Sequence, residues 1–63
     1  MSLTQTYNAL EEAVTEGLQD GIGYLVNDAH NQAERDEAKR RILTSVGEIR
    51  GLLDDIERRT RDA

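Results

Sequence analysis

The chain holds a single histidine and no cysteine, which removes the commonest routes to metal binding and nucleophilic catalysis. His30 lies two residues after Asp28 and directly before Asn31. A zinc centre draws four ligands from Cys, His and carboxylate groups. One imidazole with a few carboxylates nearby falls short of that set, and His30 reads instead as a residue at a helix end. The carboxylate pairs Glu11-Glu12 and Asp54-Asp55 are sequence neighbours. On a helix such neighbours diverge by about 100°, so they cannot flank one scissile bond. No pocket is implied that would raise a carboxylate pKa into the range of a general acid. Thr44 and Ser45 have no histidine near them to act as a base. Gly17, Gly21 and Gly23 lack the lysine and the strand–turn–helix setting of a phosphate loop. The residue types therefore predict a protein that is not an enzyme and needs neither metal nor cofactor. The chemistry left to it is recognition.

The elements that must carry that recognition are few. With 63 residues and no disulfide available, the chain makes one domain, residues 1–63, below the roughly 70–80 residues at which a core becomes self-sufficient. Its longest uninterrupted apolar run is Tyr24-Leu25-Val26, far from the roughly 20 residues of a membrane span. No basic segment or apolar core follows Met1, so a cytoplasmic protein is expected.

Net charge is −5, and all of it belongs to the first half. Residues 1–31 carry Glu11, Glu12, Glu16, Asp20 and Asp28 without one Lys or Arg, whereas residues 32–63 balance eight acids against eight bases. In the second half acids precede bases at i,i+4: Asp36 and Arg40, Glu37 and Arg41, Asp54 and Arg58, Asp55 and Arg59, Glu57 and Arg61. That order suits a solvated helix face, each pair adding a few tenths of a kcal/mol. In the first half Glu12, Glu16 and Asp20 stack at the same spacing. Stacked like charges oppose a helix, and this row predicts a cationic surface elsewhere.

No proline interrupts the chain, and both halves have helical periodicity. Leu3, Tyr7, Leu10 and Val14 step by four and three, and so do Ile42, Val46, Ile49, Leu53, Ile56 and Thr60, the spacing of a coiled-coil seam. Laid antiparallel, these seams pair Leu3 with Thr60, Tyr7 with Ile56, Leu10 with Leu53 and Val14 with Ile49. The same register continues through Gly17 with Val46, Gly21 with Ile42, Tyr24 with Lys39 and Asp28 with Arg35, every pair of positions summing to 63. Ser2 and Gln5 fit a capping box, and Asn31 fits the N-cap of a second helix. The prediction is an all-α antiparallel hairpin: a helix over about 3–29, a loop over about 29–34 and a helix over about 34–61. Gly17, Gly21 and Gly23 each cost a helix about 0.8–1.0 kcal/mol. The first helix is expected to run through them unbroken or merely kinked, the alternative being a stop near Gln19 with Gly21-Ile22-Gly23 as a bend and a short middle helix after it.

Two helices leave apolar surface uncovered. Leu18, Ile22, Leu25 and Ala29 form a second stripe on the first helix, while Leu43 and Leu52 flank the seam of the second. Dimerisation of the hairpin into a four-helix bundle is therefore expected. Residues 22–26 are apolar on almost every side, and Ile22, Tyr24, Leu25 and Val26 are predicted to centre an interface, either with a partner protein or within the dimer. Glu12, Glu16 and Asp20 are predicted to steer that partner through a basic patch of its own. Gly47 and Gly51 read as surface glycines or as a groove for a partner helix.

A short helical hairpin that dimerises resembles, in architecture alone, the Rop-type plasmid copy-number regulators, and that resemblance implies RNA as an alternative partner. Against it stands a pI near 4.6 with arginines mostly matched to acids, where phosphate binding wants a basic surface. Arg40-Arg41 and Arg58-Arg59 are the residues that could line an RNA site. The sequence thus points to a small acidic inhibitor, adaptor or chaperone-like regulator of a protein, of the kind phages and plasmids carry. A structural subunit of a larger helical assembly is the competing class.

Overall fold

A computed structural model describes residues 2–62. Met1 and Ala63, the ends of the expected domain, lie outside the described residues. The described chain is a hairpin of two antiparallel helical arms. The first arm comprises α1 (Leu3–Glu12), a π-helical stretch π1 (Ala13–Gln19), α2 (Asp20–Gly23) and a second π-helical stretch π2 (Tyr24–Asp28). The second arm is a single helix, α3 (Gln32–Asp62). At about 1.5 Å per residue its 31 residues account for the 47 Å length of the molecule, which is 14 Å across in both other directions.

Both starts follow from the capping chemistry of the sequence. Ser2 Oγ accepts the Gln5 N–H at 3.1 Å while the Ser2 N–H donates to Gln5 Oε1 at 2.9 Å, a reciprocal capping box. At α3, Asn31 Oδ1 accepts the Glu34 N–H at 2.8 Å, and Glu34 Oε1 accepts the His30 N–H at 3.1 Å. This cap sets α3 going at Gln32, two residues before the expected start, and the link between the arms shortens to residues 29–31.

The glycines do not break the first arm. No described residue has positive φ, and the backbone stays helical through Gly17, Gly21 and Gly23. What changes is the winding. In π1 and π2 the hydrogen bonds reach one residue further than in an α-helix, as where the Ala29 N–H donates to the Tyr24 carbonyl at 2.8 Å. The face turned toward α3 consequently recurs every four residues: Ala13, Gly17, Gly21, Leu25 and Ala29, alternately buried and half-buried. On α3 the facing positions are Ala38, Ile42, Ser45, Ile49, Leu52 and Ile56, at ordinary coiled-coil spacing.

This seam corrects the expected one. Tyr7 is 61% exposed, and Leu3 and Leu53 are about half exposed, so the pairs built on them do not form the inner contact. The expected pairing of Gly21 with Ile42 is made; a Cβ added at Gly21 would lie 3.0 Å from Ile42 Cγ1. Gly17 meets Ser45 in place of Val46, and Thr6 meets Asp55 where Tyr7 was expected to meet Ile56. The drift has a physical cause. A wider turn advances less along the axis per residue, so the first arm uses the residues from Thr6 to Gly21 to match the shorter run from Ile42 to Asp55.

The fully buried residues are small or polar: Thr6 and Ala38 are inaccessible, and Ala13, Ala29 and Ser45 nearly so. Among the described residues no membrane-spanning helix is present, since none is both long and apolar enough.

Candidate functional site

The molecule has two long faces, on opposite sides of the plane of the arms, and they differ in chemistry. A residue one position before the seam on either arm lies on one face, and a residue one position after it lies on the other, because antiparallel helices of the same hand mirror their numbering across the contact.

The first face is charged. Glu16 and Asp20 form one lip of a groove of about 380 Å³, floored by Gly17 and Gly21, with Arg40, Arg41 and Thr44 on the other lip. Below it a second depression is lined by Glu12, Glu16 and Glu48. The row Glu12, Glu16, Asp20 is thus exposed along one edge of a shared surface. The two arginines across the groove are partly engaged on their own helix. Glu37 pairs with Arg40 and, at 3.5 Å, with Arg41. Arg41 also lies 5.8 Å from the centroid of the Tyr24 ring, within reach of a cation–π contact. Tyr24 itself is half-buried, and its hydroxyl donates to Glu34 Oε2 at 3.3 Å. Partial burial, followed by the neighbouring Glu34 carboxylate, holds the phenol above its ordinary pKa.

Among the described residues every ion pair lies within α3. Glu37 with Arg41, Asp55 with Arg59 and Glu57 with Arg61 form at the expected spacing. Asp36 instead accepts from Gln32, and Arg58 turns to Asp55. The expected pairing of Asp28 with Arg35 at the mouth of the turn is not made. The acids of the first arm therefore remain open to an outside cation.

The second face is apolar. Val14, Leu18, Ile22 and Val26 run along the first arm and are continued toward its start by Leu10, Tyr7 and Leu3. Leu43, Val46 and Leu53 run along α3 beside them, interspersed with the exposed charges of Lys39, Arg50 and Glu57. Val26 is 74% exposed and Leu43 70%. The four residues of the apolar knot are separated by this geometry. Ile22 and Val26 lie on the apolar face, Leu25 lies on the inner seam, and Tyr24 belongs to the charged side through Arg41 and Glu34. The knot and the acidic row consequently do not share one footprint.

A polar pin missed from sequence fastens the free ends. Buried Thr6 directs its hydroxyl to Asp55 Oδ2 at 2.8 Å and to the Ser2 carbonyl at 3.0 Å. Asp55 also accepts from Arg58 at 3.1 Å and Arg59 at 2.8 Å. The Thr6 hydroxyl first, then the two arginines, hold its carboxyl down at a pKa of about 2. Only Thr6 and Asp55 being polar beside apolar heptad positions could have signalled it. His30 is exposed in the link, its backbone N–H committed to Glu34. Gly47 and Gly51 face open space, with nothing within 4 Å of an added Cβ. Compared with known proteins, the chain matches no family model, and neither a curated protein nor a solved structure is similar to it.

Proposed function

We propose that the chain is a non-catalytic protein-interaction module that self-associates through its apolar face and engages a regulated protein through its charged one. The observation that supports this reading is the segregation of the two faces. The uncovered apolar stripe has the character of a helix-bundle interior, and the acidic row Glu12, Glu16 and Asp20 lies on the far side. Dimerisation makes a four-helix bundle, and it leaves Glu12, Glu16 and Asp20 presented twice. A protein carrying a basic patch fits such a surface, with the hairpin acting as its inhibitor, adaptor or chaperone-like regulator. A cytoplasmic setting and a phage or plasmid accessory role are consistent with this proposal.

The test compares captures from host lysate by the native chain and by an E12Q/E16Q/D20N variant, which removes the charge without placing new cations beside Arg40 and Arg41. A protein retained by the native chain and released by the variant, with unchanged helicity, is the expected result. A captured set that does not differ between the two overturns the acidic face as the docking surface. Retention of RNA in place of protein, abolished by charge removal at Arg40 and Arg41, would favour the nucleic-acid reading, and open-ended polymers would favour a structural subunit.

A further inference from the structure

The self-association proposed above has two possible closed forms, and the distribution of side chains distinguishes them. A compact monomer of this mass exposes about 4,100 Å², whereas the hairpin exposes 4707 Å². The excess, about 600 Å², is close to the area of one flat face of the molecule. A face 47 Å long and 14 Å wide presents about 650 Å² on each copy, and two copies together clear the roughly 1,000 Å² that a specific interface needs. The surplus surface is the size of one missing neighbour.

Two copies can meet face to face with their links at the same end or at opposite ends. With links at the same end, the first arm of one copy lies along α3 of the other. Val26 would then meet the level of Lys39 and Leu10 that of Arg50, both of these cations being exposed. With links at opposite ends, each arm lies antiparallel on its own counterpart. Centred on the middle of the hairpin, the first arms bring Val14 to Leu18, Leu10 to Ile22 and Tyr7 to Val26 of the other copy, apolar against apolar throughout. At the centre of this contact the two π1 stretches face each other, so their four-residue stripes stay in step there.

We infer that a second copy of this chain seats on the apolar face with its link at the opposite end, like arm against like arm, and with the two Val46 side chains on the two-fold axis. The level of Val46 follows from the inner seam, where Gly17 faces Ser45. Along the α3 pair the same symmetry brings Arg50 beside Leu43, sets Lys39 against Leu53 and sets Arg35 against Glu57, the last an acid–base match at both ends of the contact. The edge of the first arm beside this interface carries Thr15, Gln19 and Asn27 with Glu11 as its one acid, so little of the net charge of −5 opposes closure there.

Because the chain has no cysteine, single substitutions report the geometry. Sedimentation equilibrium of the native chain should give twice 7.1 kDa. V46C should oxidise to a disulfide-linked dimer, while N27C should not. Spin labels placed through N27C should lie apart by most of the 47 Å length of the molecule. A 7.1 kDa species at high micromolar concentration overturns the second copy altogether. A dimer in which N27C cross-links and V46C does not overturns the arrangement in favour of links at one end. L18D separates this inference from the acidic-face reading. It should raise the dimer dissociation constant at least 100-fold, and unchanged dimerisation of a folded L18D chain overturns the interface. Capture by the acidic row in a monomeric chain would leave the docking reading standing while this one fails.

Discussion

The inner seam and the apolar face lie side by side on the same two arms, yet they are built on opposite plans. On the first arm the seam is made chiefly of Ala and Gly, set against Ala38, Ile42, Ser45, Ile49, Leu52 and Ile56 of α3 with one polar pin. The face beside it carries Leu, Ile and Val. Small residues let the arms approach closely but bury little apolar area, so the seam supplies fit more than hydrophobic free energy. Much bulky apolar surface, that of Leu3, Tyr7, Ile22, Val26, Leu43 and Leu53, remains exposed. The difference teaches that the intramolecular contact fixes geometry, while the apolar face holds free energy that the proposed second copy would draw on.

Substitutions can break this contrast, and the largest effect belongs to the seam. An alanine Cβ at Gly17 would lie 2.5 Å from Ser45 Oγ and 3.3 Å from its Cβ. Overpacking of this kind costs about 1–3 kcal/mol, set against a propensity gain of about 1 kcal/mol. Gly17→Ala should therefore lower stability in urea by about 1 kcal/mol, and in a Ser45→Ala background the loss should shrink. An equal loss in both backgrounds would show that the close approach is not the cause.

Next comes the pin. Thr6→Val removes the hydroxyl that reaches Asp55 while keeping the shape, and should cost about 1 kcal/mol. Asp55→Asn adds a pH signature. The folded carboxyl titrates near 2, below its ordinary 3.8. Its contribution is therefore fully present above pH 4 and is lost as pH falls toward 2. Native and Asp55→Asn chains should differ at pH 7 and converge in that window. A gap that persists at pH 2 would place the effect in packing and not in charge.

The smallest effect lies outside both regions. Gly47 and Gly51 meet nothing, so Gly47→Ala and Gly51→Ala should each stabilise α3 by about 0.8–1.0 kcal/mol. A loss in either case, measured by thermal unfolding, would mean that a neighbour approaches those glycines.

Much of the fold was legible because its signals are local. Ser2 with Gln5 and Asn31 with Glu34 announce helix starts, and the absence of proline keeps both arms whole. The rotation of the seam was not legible, for a physical reason. Two stripes run next to each other on the first arm, one of Ala and Gly and one of larger aliphatics, and hydrophobic periodicity favours the larger. The spacing of Ala13, Gly17, Gly21 and Ala29 was the available sign of a close-approach face wound at four residues per contact. The acidic row was recognised as a group, but its position opposite the apolar stripe depends on that rotation. Winding is set by tertiary fit, which single-residue preferences do not record.

The unequal winding of the two arms has a consequence for folding. Two rulers with different divisions coincide at one setting, as in a vernier. A heptad coiled coil can slip by seven residues and pair its stripes again, but these arms cannot, because a slipped register would bring Ala13, Gly17 and Gly21 out of step with Ala38 and Ser45. Misaligned hairpins should therefore be short-lived, and the chain has one way to close.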